Sequence, residues 1–258
     1  RNNSRIYSRA YTIMKGYFSD FPKTSYNING VDYNMTNLTS YVDIDLLKGD
    51  DIDFYSEITI PDGYRPDNMS TVLYGTDTHY WTFFLVNENL KDLYTDWPKS
   101  LKAVYDTAAI KYPGVGISIH EDDLSKFSID RVIKKVNNDH VYKVIGIHAT
   151  SLWIQLEPLL DSPTISNDLT MTFLDDTTIT FTTIGTSKKS YNMPHHYVYN
   201  NDLDVPILYT SSDSSAIPVS NIDVLVDENE SKSTIRAIKP EIINKVVSQF
   251  KSEIKKRD

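Results

Sequence analysis

Between Phe54 and Ile60 the chain alternates, Phe54-Tyr55-Ser56-Glu57-Ile58-Thr59-Ile60, which is the period of a half-buried strand. Pro61-Asp62-Gly63 breaks the run with turn residues. Arg65-Pro66-Asp67 then reads as a helix start, with Pro at the first helical position and an acid near the positive end of the dipole. Met69, Val72 and Leu73 keep helical spacing until Gly75 stops the helix. Asp77 is the expected cap of a second helix, with Tyr80, Trp81, Phe84 and Leu85 as one broad apolar face, closing near Asn87 or Asn89. The order is strand, turn, helix, glycine break, helix, asparagine.

On either side the period changes again. Ser25–Ile28 and Val31–Asn34 flank Asn29-Gly30, a strong hairpin signal. Ser100 to Tyr112 carries Leu101, Val104, Tyr105, Ala108 and Ala109 along one helical face and ends at Pro113-Gly114. From Val115 to about Val226 the pattern is that of strands: Val115–Ile119, Val141–Ile147, Leu152–Leu156, Leu169–Phe173 and Thr177–Ile184. Turns are expected at Asn137-Asn138-Asp139, Asp175-Asp176 and Gly185-Thr186-Ser187, and a turn-rich surface excursion over Asn200–Ser220. Lys239-Pro240-Glu241 opens a last helix to Lys256, with Ile243, Val246, Val247, Phe250 and Ile254 as its apolar stripe. The fold class expected is α+β: a small strand–helix–helix–strand unit, an antiparallel sheet or barrel, and a C-terminal amphipathic helix.

The central stretch resembles a LysM module, a small strand–helix–helix–strand unit. More closely, Arg65-Pro66-Asp67, Tyr74-Gly75, Tyr80-Trp81 and Asn87 are similar to the LysM-bearing baseplate wedge family of contractile-tailed bacteriophages. Met35-Thr36 upstream, Lys111-Tyr112 at the end of a helix rich in Ala and Tyr, and Glu228-Asn229-Glu230 before the last helix extend the likeness. The resemblance implies a structural wedge subunit in the tail baseplate of a virion, made in the host cytoplasm. It further implies contacts with other wedge proteins of the same particle, several copies through assembly symmetry, and a LysM-like module used to join neighbouring wedges. The expected domains are an arm with hairpin at 1–42, the module with its following helix at 43–112, a β-rich domain at 113–226, and the terminal helix at 227–258.

Composition narrows the classes. Hydrophobic residues make up 40% and charged residues 24% of the 258, which excludes a disordered chain. A net charge of −9, with no basic stripe before Lys255-Lys256-Arg257, argues against a nucleic-acid partner. No apolar run approaches membrane-spanning length, so no membrane partner is expected. Eighteen Tyr suit either wet permanent interfaces or simply a β-rich chain. The absence of cysteine removes disulfides and thiol chemistry. The first residues, opening at Arg1 without Met, do not read as a signal peptide, and an earlier true start stays open.

Candidate chemistry is sparse. The Asp-rich run, with Asp43, Asp45, Asp50, Asp51 and Asp53, fails as a calcium loop: Gly49 falls one place late and Phe54 stands where a Glu is needed. An acidic solvated loop is the better reading. His195-His196 lacks the spacing and partners of a zinc site. No nucleophile elbow, phosphate loop or dinucleotide fingerprint occurs, and Asp122-Asp123 reads as a solvated turn. No catalytic, cofactor or metal residues are assigned, and no enzyme is expected. The residues singled out are Arg65, Pro66, Asp67, Tyr74, Gly75, Tyr80, Trp81 and Asn87 as a structural or interface motif, with Trp81 expected in the core. Ile243, Val247, Phe250 and Ile254 form a stripe that either packs on its own domain or docks on a partner. The alternative function is a peptidoglycan- or chitin-binding LysM protein, against which the single copy and lack of an export signal count; a hydrolase hidden in the β region ranks third.

Overall fold

The computed structural model describes residues 17–37, 44, 54–136, 140–159, 165, 169–199, 202–207 and 215–256. The polar arm at 1–13, the five Asp of the 43–53 run, the 137–139 turn and residues 211–214 of the Ser-rich excursion lie outside the described residues. The chain divides into two compact units. One takes the chain up to Pro98 and from Lys232 onward, the other Lys99–Ser231.

The first unit opens with the hairpin β1 (Lys23–Ile28) and β2 (Val31–Thr36), paired in full register from Lys23–Thr36 to Ile28–Val31. Asn29 and Gly30 both take positive φ, 54° and 83°, the turn that matches the twist of the two strands. After β3 (Tyr55–Thr59) comes α1 (Pro66–Tyr74), which starts at Pro66 and ends on left-handed Gly75, φ 72°. A short 3-10 turn at Asp77–His79 precedes α2 (Trp81–Val86). The expected Asp77 cap is not formed; Thr76 caps the turn by accepting from the Thr78 N–H. The expected apolar face holds in part: Trp81 and Phe84 are half-buried against the core, but the face is not continuous. Phe83 and Thr82 are buried and Leu85 is exposed, because the 3-10 turn and a helix of only six residues put the sequence one position out of phase with a continuous helix.

The second unit begins with α3 (Leu101–Lys111), whose Ser100 accepts from the Ala103 N–H as N-cap. Its large antiparallel sheet is built from β4 (Val115–Ser118), β5 (Val132–Lys135), β6 (Val141–His148), β7 (Trp153–Leu159), β8 (Thr170–Phe173), β9 (Thr180–Thr182) and β10 (Ile184–Lys189). Their spatial order is β10-β4-β7-β6-β5-β8-β9. The strand expected over Thr177–Ile184 is therefore two strands on opposite edges, separated by buried Thr183. Among the described residues no ladder joins these edges, so the sheet is not a closed barrel. Its core holds Ile117, Ile133, Val144, Ile154, Leu156, Met171, Phe173 and Phe181.

Where the sequence suggests a surface excursion, the chain forms β12 (Asp202–Ile207) and β13 (Ala216–Ser220), which flank β11 (Pro194–Tyr199) in a three-stranded antiparallel sheet. A helix not expected from the sequence follows, α4 (Asn221–Glu230), with a reciprocal capping box between Ser220 and Asp223. Its Ile222 packs with Val104 and Ala108 of α3. Among the described residues Ser190 Oγ is buried without a hydrogen-bond partner, while the Ser190 carbonyl accepts from the Asn221 amide at 3.0 Å.

The chain returns to the first unit as β14 (Thr234–Ile238), antiparallel to β3 with Ile235 opposite Ile58 and Arg236 opposite Glu57. The inward residues Ile235 and Ala237 pack with Ile60, Met69, Phe83, Leu90 and Trp97. Last comes α5 (Pro240–Lys255). Ile243, Val247, Phe250 and Ile254 are all buried, together with Phe21, Ile44 and Ile238. The stripe faces this chain's own interior rather than outward, as the hydrophobic gain of about 1.5–3 kcal/mol per fully buried large side chain favours.

Candidate functional site

The motif residues gather in the first unit, around the place where α1 and α2 meet β14. Pro66 is buried at the first helical position. Arg65 and Asp67 form a surface ion pair at 3.1 Å, of the exposed kind that adds little stability. Gly75 lets the Ser70 hydroxyl donate to the Thr76 carbonyl at 2.6 Å, closing the corner between the two helices.

Tyr74 crosses from α1 to β14. Its hydroxyl donates to the Ile238 carbonyl at 2.9 Å, and its ring stacks on Phe83 with centroids 5.9 Å apart. Burial, only partly offset by hydrogen bonds, pushes its pKa up to about 12. Asn87 does the same from α2. Its amide donates to the Phe83 carbonyl at 2.7 Å and the Arg236 carbonyl at 2.8 Å, while its oxygen accepts from the Arg236 N–H at 2.9 Å. Asn89, the alternative closing asparagine, is exposed. Trp81 packs on α5, its ring 4.6 Å from that of Phe250. Tyr80 is half-buried, and its carbonyl accepts from the Phe83 N–H.

Beside this junction lies an open cleft of about 640 Å³, lined among others by Tyr55, Glu57, Val86, Asn87, Glu88 and Arg236. It holds two carboxylates and one guanidinium. Among the described residues no group of three or more His, Cys, Asp or Glu could hold a metal ion. In the second unit the His195 and His196 Nδ1 atoms lie 3.0 Å apart. His148 stacks on Trp153 with 3.6 Å between centroids, and burial lowers its pKa. Asp123, from the sequence pair Asp122-Asp123, is tied to Lys126 within a 3-10 turn. No described helix is long and apolar enough to cross a membrane.

What sequence reasoning missed is the partner of the motif. Tyr74 and Asn87 both bond to β14, a strand that its own Ile235/Ala237 alternation against Thr234/Arg236 would have revealed. Likewise Ser220-x-x-Asp223 is a readable start for α4. Comparison with curated proteins gives no match to the chain. Residues 19–145, just under half of the chain, match the family of base plate wedge protein 53, and this supports the baseplate wedge family and a structural role in a phage tail baseplate.

Proposed function

We propose that the chain is a structural wedge subunit of a contractile phage tail. In this reading β3, α1, α2 and β14 make a LysM-like strand–helix–helix–strand module, interrupted between its second helix and second strand by the Lys99–Ser231 unit. The module serves contacts between proteins that join neighbouring wedges, and the partners are other wedge proteins of the same virion, with several copies set by assembly symmetry. It performs no reaction.

The observation that carries the reading is the wedge-family match over residues 19–145, which spans the hairpin, β3, α1 and α2 together. The fate of the motif side chains agrees with it. Tyr74, Trp81 and Asn87 are spent on internal bonds and packing, so they act as framework rather than as ligand contacts. The test is cosedimentation of the purified full chain with the other purified wedge proteins of the same phage, with peptidoglycan in a parallel tube. Entry into a wedge complex without pelleting on peptidoglycan is expected. A folded protein that ignores the wedge proteins but pellets saturably with wall material would overturn it.

A further inference from the structure

The β1–β2 hairpin has two unlike faces. Opposite residues of an antiparallel pair share a side, so Thr24–Met35, Tyr26–Tyr33 and Ile28–Val31 lie on one face, and Lys23–Thr36, Ser25–Asn34 and Asn27–Asp32 on the other. The first face is apolar and aromatic apart from Thr24 at its end; the second is wholly polar. A buried sheet layer has the character of the first. Here, however, Tyr26 is 41% exposed, Ile28 46%, Val31 53%, Tyr33 46% and Met35 44%. A two-stranded hairpin with no covered face is marginal by itself in water. The patch is no larger than a monomer commonly exposes, so its mark is not its area: a hairpin of this kind is stabilised by covering the very face that here stands open.

The size and charge of the face select its occupant. Two six-residue strands give a face of roughly 20 by 10 Å, on the order of 200 Å². A stable pair needs about 800 Å² per partner, so a second copy bound through this face alone falls far short. A subunit of a larger assembly, which touches this chain elsewhere as well, has no such shortfall. A lipid surface is disfavoured too: Lys23 is the one basic residue of the hairpin, Asp32 offsets it, and the chain carries −9 overall. Because the face bears no charge, a charged group buried against it would stay unpaired.

We propose that the apolar face of the β1–β2 hairpin docks on an uncharged, apolar surface of another baseplate subunit, as a sheet layer about 10 Å from it. This rests on the wedge-subunit reading, and the hairpin lies within the segment that matches the wedge family.

The test supplies full-length wild type, Y26T/Y33T, Tyr33→Thr or the polar-face control Asn34→Thr in trans to a phage lacking the gene, and measures the protein in purified tails. In free solution the variants should melt and sediment as wild type does, since the altered side chains are already exposed. In tails, wild type and Asn34→Thr should be present, and Y26T/Y33T reduced about tenfold or more, as for loss of aromatic anchors. If the double variant does not fold, Tyr33→Thr carries the test with the same direction. Wild-type levels of the folded variants in tails overturn the docking proposal. So does a free wild type that self-associates through Tyr26 and Tyr33. Absence of wild type itself from tails overturns the wedge reading, and the proposal with it.

Discussion

The side chain of Asn87 pairs with the peptide group of Arg236 in both directions, although the two residues are 149 positions apart. One amide thus stands where a neighbouring strand's peptide would, and it fixes the end of α2 to a strand reached only after the whole second unit. Asn87→Ala removes three hydrogen bonds and strands polar groups in a partly buried place. We expect a loss of about 2–3 kcal/mol in urea unfolding. A loss under about 0.5 kcal/mol would show that the pairing does not hold the unit together.

Trp81 and Phe250 join the same early segment to the last helix. Phe250→Ala should cost about 3–5 kcal/mol, as for a large-to-small change in a core, and Trp81→Ala, at a half-buried position, less. Their double-mutant cycle should show coupling of about 0.5–1.5 kcal/mol. Strict additivity in denaturant melts would contradict the contact.

Much of the first unit was legible because its signals are local. The Asn29-Gly30 turn, Pro66 at a helix start and Gly75 at its end each fix a backbone shape within a few residues, and the structure has all three. The core face of α2 is legible only in part: Trp81 and Phe84 pack inward, but a 3-10 turn just before Trp81 shifts the phase so that Phe83 is buried and Leu85 exposed. The expected strand over Thr177–Ile184 fails for a different reason. Its halves reach opposite edges of one sheet, and local β propensity carries no information about which strand a residue will pair with. Nor does any periodicity around Asn87 say that its partner lies beyond residue 230. Long-range closure, rather than local structure, is what stayed hidden.

Tyr74 makes that closure sensitive to alkali. Its folded pKa of about 12 lies above the ordinary value of 10.0. Between these values the unfolded chain sheds the phenolic proton while the folded chain keeps it, so stability is complete below pH 10 and falls as pH rises toward 12. The loss across this window should be on the order of 2 kcal/mol, from a shift worth about 1.4 kcal/mol per pH unit. Tyr74→Phe should start slightly less stable and show a flatter stability profile over the same range. An unchanged slope would contradict the assignment to Tyr74.

Two glycines with similar backbone should respond differently to alanine. Gly75 has φ 72° with open space around a Cβ, so Gly75→Ala should cost only the left-handed strain, about 1–2 kcal/mol. Gly114 has φ 76°, and a Cβ there would run into the Leu156 carbonyl. Gly114→Ala should therefore lose more than Gly75→Ala in thermal melts. Equal losses would mean that β4 and β7 can move apart at that point.

The most direct measurement for a structural wedge role is the sedimentation profile of baseplate intermediates from a phage lacking this gene, with and without the full chain supplied in trans. Unjoined wedges are expected without the chain, and complete baseplates containing it when it is restored. Complete baseplates formed in its absence would contradict the account.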